Sequence, residues 1–305
     1  MEEVKVSFLI PCFNESGNIE KIYEKITNDF SGEAIQLVFV DDGSKDNTIA
    51  EIKELSQKHD NISFVSFSRN FGKEAAMLSG LKKCKGTYTA LIDADLQQDP
   101  LFVKQMVEIL DSNPDVDVVC AKPARRKESA LKKFLKEGFY KIDNWISEVP
   151  MEQDASDFRT FRSNVKEALL SLPEYGRFSK GLFSFVGFKT QYTEYEVKER
   201  EIGVSKWSLT KLFRYAFNGI FSFSNFPLVF ILYLGIVFLG AMEIVFLVSL
   251  FTHTFDACRL AMTLLFLAGV TLCMLGVVSL YLAKIYSQVK GRPIYIVKEE
   301  SKDEH

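Results

Sequence analysis

The chain has 305 residues, of which 47% are hydrophobic and 25% charged, and its formal net charge is −3 at pH 7. This length allows more than one domain, and the small net charge gives no reason to expect nucleic acid as a partner. The five cysteines form no CxxC pair and the three histidines lie near no nucleophile motif, so we expect reduced thiols and no histidine-dependent catalysis. The N-terminal residues lack a basic segment followed by an apolar one, so no cleaved signal peptide is expected.

The first 125 residues alternate between two periodicities. Short apolar runs typical of buried strands are separated by segments in which apolar residues recur at helical spacing. The predicted strands lie at 4–12, 35–43, 62–68, 87–95 and 116–122, and the predicted helices at 18–30, 46–59, 72–84 and 100–112. This order predicts an α/β fold with a mostly parallel sheet and helices on both faces.

Polar segments follow three of these strands, at 11–16, 41–46 and 93–100. The carboxyl ends of parallel strands meet at one edge of a sheet, and ligands bind there where the strand order reverses. The three polar segments are therefore expected to form one rim.

The segment after the fourth strand begins Asp-Ala-Asp. Two carboxylates about 5 Å apart repel by about 3 kcal/mol at an effective dielectric of 20, and either solvent or a cation must relieve this cost. Asp93, Asp95 and Gln97 offer the oxygen ligands that Mg²⁺ or Mn²⁺ takes, whereas the alternative interpretation is an acidic turn. Asp99, which precedes Pro100, is predicted to cap the next helix.

The segment after the second strand carries Asp41 and Asp42. One interpretation is an Asp-Gly turn into a helix capped by Ser44 or Asp46. The other is a pair of carboxylates that accept hydrogen bonds from a base or a ribose.

Residues 121–141 contain eight Lys and Arg against two Glu. This segment is either a solvated helix face or a basic flap that meets the phosphates of a substrate or of lipid headgroups.

Two apolar segments, 227–251 and 260–283, are each long enough to cross a bilayer as a helix. Lys and Arg flank the pair on its outer sides, which predicts a transmembrane hairpin with the N-terminal domain in the cytoplasm. Buried core helices are the alternative.

The segment 208–226 has one apolar face beside basic residues, which favours a helix in the membrane interface over a core helix. Glu243 inside the first span is a candidate functional residue or a helix-packing contact.

Eight segments carry a resemblance to a known family: IPCFNESGNI, VFVDDGSKDNT, SFSRNFGKEAAMLSGLKKCKG, LIDADLQQDP, SDFRTFR, GLFSFVGF, EREIGVSKWS and KGRPIY. Together they resemble the family 2 glycosyltransferases, and more closely the polyprenyl-phosphate glycosyltransferases such as the bactoprenol glucosyltransferases and dolichyl-phosphate mannose synthases. The resemblance extends from about residue 4 to 297. It implies a GT-A (Rossmann-like) nucleotide-diphosphosugar transferase domain over 1–207, then the interfacial helix at 208–226, the hairpin over 227–283 and a cytoplasmic tail over 284–305.

The resemblance also implies roles at matching positions. Asp157 matches the proposed catalytic carboxylate of the family, with Arg159 beside it, and Asp93 and Asp95 with Gln97 would hold Mg²⁺ or Mn²⁺. The nucleotide-sugar pocket would be formed by Pro11, Phe13, Glu15, Asp41, Asp42, Asp93, Ala94 and Asp95. The phosphates of donor or acceptor would be bound by Arg125, Arg126, Arg200, Ser205 and Lys206.

The implied reaction transfers a sugar to the phosphate of undecaprenyl phosphate with inversion, in a multi-pass protein of the cytoplasmic membrane. UDP-glucose is the first choice of donor, and UDP-N-acetylglucosamine, UDP-N-acetylgalactosamine, UDP-galactose and GDP-mannose are alternatives. The acceptor phosphate is anionic at pH 7, so Asp157 can orient it or stabilise positive charge at the sugar rather than act as a base. The implied partners are the nucleotide sugar, the polyprenyl phosphate, the bilayer and, by analogy, copies of the chain in a tetramer.

Two other functions compete with this one. A processive polysaccharide synthase is disfavoured because the chain has no QxxRW motif. A non-catalytic, membrane-tethered nucleotide-sugar binder is disfavoured because the acidic motifs are intact.

Overall fold

A computed structural model describes residues 3–123, 156–195 and 257–301, together with helical positions at 233, 237, 240 and 244. The predicted interfacial helix at 208–226 lies outside the described residues, as does nearly all of the apolar segment 227–251.

The first described range alternates strands and helices, as the periodicity predicts. In chain order it consists of β1 (Val6–Cys12), α1 (Ile19–Asp29), β2 (Ile35–Asp41), α2 (Thr48–Lys58), β3 (Ile62–Phe67), α3 (Lys73–Lys83), β4 (Tyr88–Leu91), α4 (Pro100–Ser112) and β5 (Val118–Pro123). Asp99 caps α4, since its carboxylate accepts a hydrogen bond from the Leu101 N–H at 3.3 Å, and this prediction is confirmed.

The order of the strands places the site. The described sheet has the order β7-β5-β6-β4-β1-β2-β3-β8, and β1 to β4 pair in parallel. The chain builds β2 and β3 on one side of β1 and then returns to add β4 on the other side. The order therefore reverses between β1 and β4, so the polar segments after Cys12 and Leu91 meet at the switch point.

Helices cover both faces of the sheet, as predicted. One buried cluster packs beneath α1, α2 and α4 and includes Phe8 and Ile10, while the other packs beneath α3 and includes Leu9 and Val40. A Cβ added at Gly80 would lie 1.9 Å from Leu9 Cδ1, so α3 lies very close to the sheet.

The second described range adds elements that the sequence pattern does not predict. They are β6 (Arg159–Arg162), α5 (Ser163–Ser171), α6 (Ser179–Phe185) and β7 (Thr190–Tyr195). Strand β6 is antiparallel to both β4 and β5, so the sheet is mixed rather than mostly parallel across its whole width. Because β6 begins where β4 ends, with Arg159 opposite Leu91, the residue Asp157 arrives at the same rim.

The last described range forms α7 (Ala257–Val289) and β8 (Val297–Glu300). Within α7, 24 residues from Phe266 to Val289 are apolar enough to cross a membrane, and none of that stretch is buried. It is the one such helix in the part of the chain that the structure describes, so the second span of the predicted hairpin is not established. The tail beyond α7 pairs with the edge of the sheet, since β8 is antiparallel to β3.

Candidate active site

Three segments meet at the rim around one ammonium group. Lys73, the first residue of α3, places its Nζ 2.6 Å from Asp93 Oδ1 and 3.0 Å from Asp157 Oδ2. Asp93 follows β4 and Asp157 precedes β6, so the sheet topology brings together two carboxylates that are 64 residues apart. Sequence reasoning predicted both carboxylates but missed Lys73.

The positive charges around Asp157 decide its ionisation. Burial alone would raise the pKa of this carboxyl, but Lys73, Lys180 and Arg159 outweigh it and lower the pKa to about 2. Burial likewise tends to lower the pKa of Lys73, and Asp93 and Asp157 reverse this effect and raise it. Asp157 and Lys73 are therefore both charged at neutral pH, and Asp157 is a weak base.

Arg159 adds a further positive charge near the ion cluster that Lys73, Asp93 and Asp157 form. Its guanidinium donates from Nη2 to the Ser156 carbonyl at 2.7 Å and lies 4.1 Å from the centre of the Phe183 ring. The side chain is buried, and its Nε has no hydrogen-bond partner among the described residues. Arg159 thus contributes positive charge beneath Asp157.

The Asp-Ala-Asp segment is held by its own side chains. The Asp93 N–H donates to Gln98 Oε1 at 2.9 Å, and Gln98 Nε2 donates to Asp93 Oδ2 at 3.2 Å. The Gln97 N–H donates to Asp95 Oδ1 at 3.2 Å, and Leu96 between them has a φ of 61°. Sequence reasoning missed Gln98, which orients Asp93.

The charges of both carboxylates of this segment act on the Tyr195 hydroxyl. Burial raises the pKa of its hydroxyl, and the negative charges of Asp93 and Asp95 raise it further, to about 12. Within the described ranges no three His, Cys, Asp or Glu side chains are grouped to hold a metal by themselves. The two carboxylates nevertheless fit a hard divalent cation whose other ligands are water and substrate phosphate oxygens.

The carboxylates after β2 are bound by backbone and serine groups. Asp41 accepts hydrogen bonds from the Ser44 N–H at 3.0 Å and from Ser66 Oγ at 2.8 Å. Asp42 accepts from the Phe71 N–H at 2.6 Å and the Gly72 N–H at 2.9 Å, and burial raises the pKa of its carboxyl. Because Gly72 precedes Lys73, Asp42 fixes the start of α3. Contact of Asp41 or Asp42 with a nucleoside remains a prediction.

The loop after β1 lies beside the loop after β2. The Asn14 N–H donates to Ser44 Oγ at 2.9 Å, and the Glu15 N–H donates to Thr48 Oγ1 at 2.9 Å. Pro11, Phe13 and Glu15 are all partly exposed at this rim, whereas the Ala94 side chain is buried in the core. The remaining predicted site residues lie outside the described ranges: Arg125, Arg126, Arg200, Ser205 and Lys206.

The fold can be compared with that of a solved structure. It is similar to that of glucosyl-3-phosphoglycerate synthase from Mycobacterium tuberculosis, solved with Mn²⁺, UDP and phosphoglyceric acid, with a TM-score of 0.51 at 19% identity. That similarity covers 70% of this chain and 75% of the other. The chain therefore has a GT-A-like α/β nucleotide-sugar transferase fold, as predicted.

Sequence comparison then gives the family. Residues 7–165 match the model of glycosyl transferase family 2. A prophage SfII bactoprenol glucosyl transferase of Shigella flexneri is 36% identical over 304 residues, which cover 97% of this chain and 98% of the relative. A prophage bactoprenol glucosyl transferase homolog of Escherichia coli K12 is 34% identical over 307 residues, covering 98% and 100%. The chain belongs to glycosyl transferase family 2 and is a hexosyltransferase, which confirms the resemblance.

Proposed function

We propose that this hexosyltransferase transfers glucose from UDP-glucose to the phosphate of undecaprenyl phosphate at the cytoplasmic face of the membrane. The observation that carries the proposal is the attachment of an exposed apolar helix, α7, to the sheet whose rim bears Lys73, Asp93 and Asp157. The near full-length similarity to relatives named bactoprenol glucosyl transferases supports a lipid acceptor and a glucosyl donor. The other nucleotide sugars predicted from the sequence remain alternative donors.

The pairing of β8 with β3 supports a helical hairpin. Strand β8 follows α7 and belongs to the same sheet as the rim. This pairing supports a topology in which the chain is on one side of the membrane both before and after its spans. If α7 crosses the bilayer, the chain between 195 and 257 must cross it as well, and 227–251 is the apolar segment there. A protease added outside intact cells should then leave residues 1–207 uncut. Digestion of that range in sealed cells would contradict this topology.

The chemistry follows from the charges at the rim. An oxygen of the lipid phosphate attacks the anomeric carbon, the bond from that carbon to the nucleoside diphosphate breaks, and the diphosphate leaves with the electron pair. No proton has to be removed, because the attacking phosphate oxygen is already anionic. An ionised Asp157 suits the stabilisation of positive charge at the anomeric carbon and the orientation of the acceptor, rather than proton transfer. Direct attack inverts the configuration at that carbon.

A divalent cation fits this scheme at Asp93 and Asp95, with Gln97 as the predicted third ligand. When bound, the metal would supply positive charge to the leaving diphosphate. The Asp93 carboxylate is oriented by Gln98 and Lys73.

The experiment is a donor panel with the full chain in nanodiscs that contain undecaprenyl phosphate. Each of the five nucleotide sugars is supplied with a labelled hexosyl group, and the lipid product is identified by mass. The matched control is Asp157→Asn, which keeps the shape of the side chain and removes its charge. We expect labelled lipid phosphosugar from the unmodified chain and loss of at least about 100-fold in rate from the variant.

The competing functions give different results in the same assay. A water-insoluble polymer of the labelled sugar would indicate a processive synthase. Binding of a nucleotide sugar without turnover of any donor would indicate a non-catalytic binder. Either result would refute the proposed reaction.

A further inference from the structure

The last turn of α7 contacts the segment that precedes α6. Gln288 lies in the last turn of α7, and its Oε1 accepts a hydrogen bond from the Tyr175 N–H at 2.8 Å. Its Nε2 donates to the Pro173 carbonyl at 2.9 Å. These two bonds attach residues 172–178, which we call the strap, to the point where α7 ends.

The strap is braced along its length. The Arg177 guanidinium donates to the Leu172 carbonyl at 2.9 Å and to the Leu169 carbonyl at 3.0 Å. At its far end, the Ser179 N–H lies 3.0 Å from both carboxylate oxygens of Glu74, and Ser179 Oγ donates to the same carboxylate. A short, fixed connection therefore leads from the end of α7 to the start of α3.

This connection brings a second lysine, Lys180, towards the ion cluster that Lys73, Asp93 and Asp157 form. Glu74 follows Lys73 in α3, and Lys180 follows Ser179 in α6, so the bond between Glu74 and Ser179 places the two lysines on neighbouring helix ends. The positive charge of Lys180 acts on the pKa of Asp157 and on that of the buried Cys120 thiol in β5.

The two lysines differ in their partners. Lys73 is committed to Asp93 and Asp157 through contacts of 2.6 and 3.0 Å. The partly exposed Lys180 forms neither an ion pair nor a side-chain hydrogen bond with any residue in the described ranges, although its positive charge contributes to the lowered pKa of Asp157. Its ammonium is thus available to an anionic ligand.

We infer that Lys180 binds the phosphate group of the lipid acceptor and presents it to the sugar beside Asp157. This inference rests on the proposed function and adds a residue to it. A phosphate that enters from the membrane along α7 meets the strap first, and Lys180 is the second residue of α6, the helix that follows the strap. The phosphate also needs a cation here, because Asp157 repels it and Lys73 already neutralises two carboxylates. The diphosphate of the donor is the other source of the same chemistry.

The test separates the acceptor phosphate from the donor diphosphate. Farnesyl phosphate, a short detergent-soluble acceptor, and farnesol, which lacks the phosphate, are titrated calorimetrically into the full chain and into Lys180→Met and Lys180→Arg. UDP with Mg²⁺ is titrated into the same three proteins. The matched control is Lys189→Met, because Lys189 is exposed and lies after α6 on the way to β7.

We expect Lys180→Met to weaken farnesyl phosphate binding by about 10- to 100-fold, the loss typical of one charge-assisted hydrogen bond. Farnesol binding and UDP binding should change less than about twofold, and Lys180→Arg should recover most of the lost affinity. Unchanged farnesyl phosphate affinity would overturn the inference, as would a loss confined to UDP. If the full chain transfers no sugar in the donor panel, the proposed reaction fails, whereas the titrations still decide whether Lys180 binds the lipid phosphate.

Discussion

Replacing Lys73 with Met tests the ion cluster at the rim most sharply. Methionine keeps most of the length of the side chain and removes its charge, so Asp93 and Asp157 face each other without the shared ammonium. Because Nζ is 2.6 Å from one carboxylate and 3.0 Å from the other, the two groups lie about 5 Å apart and repel by about 3 kcal/mol at an effective dielectric of 20. Asp93 is 33% and Asp157 25% exposed, so screening by water reduces the repulsion to about 1–3 kcal/mol.

This repulsion should appear in the pH dependence of the reaction. With Lys73 present, the pKa of Asp157 is about 2, below its ordinary value of 3.8, so the group stays ionised as the pH falls to 4. In Lys73→Met the pKa of Asp157 should rise, because burial then acts without the opposing charge of Lys73. The variant should therefore lose activity as the pH falls from 5 to 4. In this range the unmodified chain should lose no activity through protonation of Asp157. At pH 7 we expect kcat/KM to fall about 10- to 100-fold, because the repulsion displaces Asp157.

The assay is the rate of sugar transfer to lipid phosphate between pH 4 and 8. Lys85→Met is the matched control, since Lys85 is exposed just beyond α3 and forms no ion pair within the described part of the chain. A Lys73→Met profile that matches the control in both rate and shape would refute the electrostatic role given to Lys73.

Three further changes test the metal site and the fold. Asp95→Asn should reduce transfer at least about 100-fold with an unchanged thermal midpoint, and EDTA should stop the unmodified chain; full activity in EDTA would contradict the metal site. Deleting residues 297–305 removes β8 and bares the edge of β3, so the thermal midpoint should fall by several degrees, whereas deleting 302–305 alone should leave it unchanged. Gly80→Ala should lower the free energy of unfolding by about 1–3 kcal/mol in a denaturant titration, because its Cβ would meet Leu9 at 1.9 Å. Gly176→Ala, which meets no atom within 4 Å, is the control, and equal stability of the two variants would show that α3 is not packed so closely.

The sequence predicts the first half of the fold well because its pattern is local. The stripe of Ile19, Ile22 and Ile26 and the apolar runs of β1 to β5 reflect burial on a sheet, and each is visible in a window of about ten residues. The parallel order of β1 to β4 then places Asp93 at the rim. The same reasoning correctly identified Asp99 as a helix cap.

The strands and contacts that the sequence pattern does not predict depend on residues that are far apart in the chain. Strand β8 reads Val-Lys-Glu-Glu, which has no strand pattern, and it is fixed by β3 and by the ion pair of Glu299 with Lys53. Lys73 has the sequence context of an ordinary helix residue, and its contact with Asp157 arises only because β6 begins beside the end of β4. Antiparallel pairing of this kind leaves no signal in a single short segment.

The central claim is that the rim transfers one hexosyl group to a lipid phosphate. The most direct measurement is the mass of the lipid recovered after the full chain, in nanodiscs with undecaprenyl phosphate, is incubated with UDP-glucose and Mg²⁺. We predict a lipid heavier than undecaprenyl phosphate by a single hexosyl residue, with one UDP released for each lipid formed. Lipid of unchanged mass with every nucleotide sugar, or a product carrying many sugars, would contradict the account.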